Sequence, residues 1–114
     1  MEYTGQTFFK TKLEDKTQED GAQDIDVSAS LYLGIGAKRY WQVQVSPSAV
    51  PTGGELEVSV KAPGADGYQA LDTAIDLTGS DLLLSFVAIA ESIRITPSDF
   101  DADKTYSVFL AATT

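Results

Sequence analysis

Three aspartates alternate in one short stretch: Asp99, Asp101 and Asp103. Oxygen ligands at alternate positions are what calcium uses in helix–loop–helix sites. The rest of that pattern is missing. Its sixth position calls for glycine and carries Lys104, and its twelfth calls for glutamate and carries Leu110. The trio is therefore a weak metal candidate. Its competing reading is a solvated, turn-forming acidic loop that also blunts a sheet edge. The chain has no histidine and no cysteine. The usual general base near neutral pH, the thiol nucleophile and the commonest zinc and copper ligands are thus absent.

The remaining routes to catalysis find little support. A glycosidase needs two carboxylates facing across a cleft. With seventeen acids in the chain, such a pair arises by chance, so their number is no evidence. A serine nucleophile would need a base such as lysine, yet neither Gly-x-Ser-x-Gly nor Ser-x-x-Lys occurs. Gly34-Ile35-Gly36 is not a phosphate loop, because the next stretch of chain reads as a strand and not a helix. The expectation is a non-enzymatic protein with no catalytic residues and no cofactor.

Binding is the better-supported chemistry. Lys38 and Arg39 are the only adjacent basic pair in an acidic chain, suited to an acidic patch on a neighbouring copy. Repeated head to tail, that contact would close a ring. Phe8 and Phe9 are adjacent aromatics in a polar segment and should dock, either on this domain's own sheet or on a partner. Tyr40, Tyr68 and Tyr32 could offer aromatic faces to a glycan. Trp41 shares the parity of Val43 and Val45 and is expected in the core, which leaves Tyr40, beside Gln42 and Gln44, for the surface. The expected partner-binding residues are Phe8, Phe9, Lys38, Arg39 and Tyr40.

Seventeen acids against eight basic residues give a net charge of −9. Phosphate backbones and anionic membranes would be repelled, so neither a nucleic acid nor a membrane is an expected partner. The charge favours solubility and self-avoidance at high concentration. No apolar run approaches the ~20 residues that span a bilayer. Residues 1–22 lack the apolar core of a secretory signal, so synthesis in the cytoplasm is expected.

The elements that must carry these residues are short strands. The 114 residues fit one domain. Residues 1–24 read as a polar N-terminal arm, and 25–114 as a β domain. Ile25, Val27 and Ala29 alternate with polar residues and lead into Leu31-Tyr32-Leu33. Tyr40–Val45 and Glu55–Lys61 alternate cleanly, the mark of a half-buried antiparallel strand. Tyr68–Leu71 and Ala74–Leu77 are short strands. Leu82–Val87 reads as a fully buried strand, and Ser92–Thr96 and Tyr106–Leu110 complete the set. Turn signals recur every ~8–12 residues, which predicts an antiparallel β-sandwich, jelly-roll or Ig-like.

Two resemblances add to this. Phe100 lies six positions before Tyr106, which opens the last strand. That resembles the tyrosine corner of fibronectin type III and immunoglobulin-like sandwiches, where the tyrosine hydroxyl bonds back to upstream backbone. The body from Tyr40 to Ala112 also looks like small phage virion proteins, in layout and short phrases. These run from Tyr40-Trp41-Gln42-Val43-Gln44-Val45 and Gly54–Val60, through Pro63-Gly64, Tyr68 and Ile75-Asp76-Leu77, to Ser92–Ser98 and Tyr106–Ala111. The resemblance implies a capsid decoration protein, head fibre or minor tail component. Such proteins are commonly oligomeric, often trimeric, and attach by a terminal arm. The implied partners are the chain itself, as a homotrimer, and capsid or tail proteins, with the virion as location. A carbohydrate- or receptor-binding module is the alternative.

Overall fold

The computed structural model describes residues 7–32 and 40–113; of Thr7, Phe8 and Tyr32 only the backbone is described. Among the described residues nine strands form: β1 (Thr7–Lys16), β2 (Gln23–Asp26), β3 (Tyr40–Pro47), β4 (Glu55–Lys61), β5 (Gln69–Ala70), β6 (Ile75–Asp76), β7 (Leu83–Val87), β8 (Ser92–Ser98) and β9 (Tyr106–Thr113). Sheet 1 runs β1-β9-β3-β7. Sheet 2 runs β2-β8-β4-β5, with β6 also pairing β4. Every pairing is antiparallel.

The pairs are nested. β1 meets β9, β2 meets β8, β3 meets β7, and β4 meets the short β5 and β6. A chain folded as one long hairpin and then rolled up gives this order, which is a jelly-roll sandwich. Between the two expected sandwich types, the strand order therefore selects the jelly roll.

Period-two alternation builds the core between the sheets. Trp41, Val43 and Val45 of β3 and Val108, Leu110 and Ala112 of β9 face Leu56 and Val58 of β4 and Ile93 and Ile95 of β8. Trp41 is fully buried. Its indole N–H donates to the Ala88 carbonyl at 3.0 Å, which satisfies the one polar atom that burial would strand. Phe9 meets its ring edge-on at 5.9 Å, and Phe86 stacks at 6.4 Å.

Several elements differ from the sequence expectation. The segment read as an arm is an edge strand from Thr7 to Lys16, paired along β9 from Thr113 to Tyr106. Gln23 and Asp24, also assigned to it, open β2. Lys10, Lys12 and Glu14 face outward while Phe9 and Leu13 pack on the core, so charge on one parity had masked a half-buried strand. The strand expected to run on from Ile25 stops at Asp26, whose carboxylate accepts the Ser28 N–H at 2.9 Å. That turn starts a 3-10 helix over Ser28–Tyr32.

The tyrosine-corner expectation holds for packing and fails for bonding. Tyr106 is fully buried and meets Phe100 edge-on at 5.6 Å. Its hydroxyl has no hydrogen-bond partner among the described residues. Burial, with the charge of Asp20 adding to it, pushes its pKa up to about 12.

Candidate interaction surface

The outer face of sheet 1 is set by register. Leu83, Gln44, Phe109 and Lys12 form one row across β7, β3, β9 and β1. Ser85, Gln42, Ala111 and Lys10 form the next, followed by Val87, Tyr40 and Thr113. Tyr40, Leu83, Val87 and Phe109 are 48%, 46%, 55% and 46% exposed, so large apolar side chains meet water in the first and third rows, with Ser85, Gln42 and Lys10 in the row between. A groove of about 510 Å³ crosses this face, lined by Lys10, Lys12, Gln42, Gln44, Leu83 and Phe109. Lys12 pairs with Glu14 at 2.6 Å. That hydrogen bond and the opposite charge raise the Lys12 pKa and lower that of Glu14, although both are open to solvent.

Sheet 2 presents a different outer face. Arg94 grips Asp24 through two hydrogen bonds, 2.6 and 3.2 Å long. Its guanidinium also lies 4.0 Å from the centre of the Tyr68 ring. The Tyr68 hydroxyl meets the Ser92 hydroxyl at 2.6 Å, and Ser92 donates to the Ile25 carbonyl. Beside them Lys61 pairs with Glu91 at 3.0 Å. Arg94 holds the Asp24 carboxyl below its ordinary pKa, and Glu91 raises that of Lys61. These partners are mutually satisfied, and one face of the Tyr68 ring is already covered.

At the corner before β9, Asp101 works as a latch. It accepts from the Thr52 N–H at 3.0 Å, the Thr52 hydroxyl at 2.9 Å, the Gly53 N–H at 3.3 Å and Lys104 Nζ at 3.0 Å. The Thr52 backbone N–H first, and Lys104 next, bring its pKa down to about 2. The latch closes over a tight approach. Gly54 sits at φ +117°, and a Cβ there would lie 2.7 Å from Phe100 Cα, so only glycine fits. Gln18 adds a second clasp, accepting the Phe100 N–H at 2.9 Å and donating to the Pro97 carbonyl at 3.2 Å.

The residues singled out in the sequence divide accordingly. Asp101 spends its oxygens on backbone, Thr52 and Lys104, and Asp103 is exposed. Asp99 lies at φ 56°, a turn position. Among the described residues no three acidic side chains gather to hold a metal ion. Phe9 turns inward onto Trp41 and docks on its own sheet. Tyr40 is on the exposed face of sheet 1, as its parity predicted. The Phe8 and Tyr32 side chains, and all of Lys38 and Arg39, lie outside the described residues.

Sequence reading missed Leu83 and Val87, because an apolar run gives no sign of which parity is covered. Phe109 opposed the buried parity of its strand, and that was the available signal. No helix among the described residues is long and apolar enough to cross a membrane. No protein-family model matches this chain, and comparisons with curated proteins and with solved structures likewise find no match.

Proposed function

We propose that this chain is a non-enzymatic structural protein that attaches to a virion capsid or tail through the outer face of sheet 1. The observation that carries the reading is the contrast in exposed chemistry. Tyr40, Leu83, Val87 and Phe109 leave apolar surface in water on sheet 1, whereas the outer face of sheet 2 is charged, with Glu55 and Glu57 exposed, Arg94 paired with Asp24 and Lys61 with Glu91. Large apolar side chains gathered on one exposed face and interleaved with polar ones support its use as an interaction site. The jelly roll adds support by analogy only, since viral capsid and lectin domains both use it. The resemblance of Tyr40–Ala112 to small phage virion proteins supports a phage particle as the one bound. A net charge of −9 suits domains crowded on a particle surface.

Immunogold labelling of purified particles, with antibody raised to this chain, tests the reading. Labelled capsids or tails that lose the label when Phe109→Glu replaces the native chain are expected. Unlabelled particles would refute it.

A second reading rests on the groove of sheet 1. Phe109 offers an aromatic face beside the amides of Gln42 and Gln44 and the ammonium of Lys12, a set that suits a glycan. Glycan-array binding abolished by Phe109→Ala or Tyr40→Ala would favour it over attachment to a particle.

A further inference from the structure

We infer that β7 is a self-pairing edge, through which two copies join their sheets about a two-fold axis at Ser85. The pairing rests on the edge alone; only its use as a docking platform rests on the assembly reading above.

The backbone comes first. The Val45 N–H donates to the Leu82 carbonyl at 2.9 Å. Backbone groups alternate sides along a strand, so Leu82, Leu84 and Phe86 point toward β3. Leu83, Ser85 and Val87 point the other way. Among the described residues no strand pairs with that side. Unpaired strand edges are templates for another chain.

The other edges of the sandwich are guarded. β1 carries Lys10, Lys12 and Glu14, and its register shifts between Leu13 and Lys16, where Asp15 adopts φ 50°. β2 is four residues long and carries two aspartates. β5 and β6 have two residues each. β7, five residues long, carries neither a charge nor a register shift. From Leu82 to Ala90 the sequence is Leu-Leu-Leu-Ser-Phe-Val-Ala-Ile-Ala, with no charged residue and no proline.

That absence of charge selects the occupant. Two copies each carrying −9 repel one another. They can approach most cheaply where both are neutral, and an uncharged strand complements its own copy. Antiparallel pairing about Ser85 sets Leu83 opposite Val87 of the other copy, and Val87 opposite Leu83. On the outer face these pairs extend the apolar rows of Tyr40 and Phe109. On the inner face Leu84 meets Phe86, and both are only partly buried at the open margin of the core. Two four-stranded sheets joined edge to edge make one continuous sheet, whose outer face doubles the proposed docking surface.

Light-scattering chromatography of the full chain at ~0.02 M and ~0.3 M salt tests this, because salt screens the repulsion. The expected result is twice the 12.2 kDa chain mass, with severalfold tighter association at the higher salt. Ser85→Lys sets two ammonium groups opposite one another at the axis and should leave a monomer with an unchanged circular dichroism spectrum. Should that variant fail to fold, Ser85→Cys, the only thiol in its chain, should cross-link to a dimer with a short bis-maleimide. Ser98→Cys, on the other sheet, should not. A wild-type monomer at both salts, a trimer, a Ser85→Lys dimer or failure of the Ser85→Cys cross-link would each overturn the inference. Particle labelling by a wild type that is monomeric at both salts would refute the pairing alone, and labelling absent from a dimeric wild type would refute attachment alone.

Discussion

The two edges of sheet 1 are built on opposite principles. β1 is ten residues long, charged on its outer parity, broken by a register shift, and anchored inward by Phe9 and Leu13. β7 is half that length, uncharged, and apolar on both parities. The long edge is integral to the core, and its charges and register shift oppose a further strand. The short edge adds less to the core, and among the described residues no strand pairs with its outward backbone groups. Length of pairing and readiness to pair again are therefore separate properties, and charge patterning decides the second.

The largest expected effect comes from removing β1. Deleting residues 1–16 strips β9 of a partner and takes Phe9 off Trp41. Thermal unfolding should lose its cooperativity, and Trp41 emission should shift to the red. A truncated chain that melts sharply with blue-shifted emission would show that β1 is as dispensable as an arm. Next is Phe9→Ala, which removes one aromatic wall of the Trp41 site. It should cost ~2–4 kcal/mol by urea denaturation, near the lower range for buried aromatics because Phe9 is only partly covered.

The Asp101 latch gives a smaller, pH-dependent effect. Its pKa is depressed from an ordinary carboxylate value to about 2. A depressed folded-state pKa contributes stability that is present above the unfolded value, ~4, and lost as pH falls toward the folded one. Asp101→Asn should lower the melting temperature by several degrees at neutral pH and flatten its decline between pH ~4 and ~2. Equal slopes for both chains would assign the acid sensitivity elsewhere. Tyr106→Phe should leave stability unchanged or slightly higher, because the hydroxyl it removes is buried without a partner among the described residues. A clear loss would restore the tyrosine-corner bond.

The smallest stability effect should come from giving β1 the character of β7. Lys10→Val with Lys12→Val should alter stability by less than ~0.5 kcal/mol, as surface changes usually do. It should nevertheless produce concentration-dependent assemblies larger than a dimer. Unchanged solution mass would mean that the register shift near Asp15, and not charge, guards that edge.

How far the sequence reaches can be read from the same contrast. β3, β4, β8 and β9 were legible because one parity is apolar and the other polar, as in Trp41-Val43-Val45 against Tyr40-Gln42-Gln44. Tyr106 was legible as core from its parity with Val108 and Leu110, and Phe100 only through the resemblance to a tyrosine corner. β1 was obscured because charges on its wet parity resemble a solvated tail. β7 hid its exposure because both parities are apolar, and only the strand order makes it an edge. The latch of Asp101 onto Thr52 joins residues far apart in the chain, so no local pattern announces it.

The nested strand order also has a consequence in time. β9 lies between β1 and β3, so the middle of sheet 1 is the last of the nine strands to leave the ribosome. Until it emerges, β1 and β3 cannot be bridged and Trp41 has no finished site. Sheet 1 must therefore wait without its middle strand, with the uncharged Leu82–Ala90 segment already made. The interval between synthesis of β7 and synthesis of β9 is when an apolar, uncharged strand is most open to aggregation.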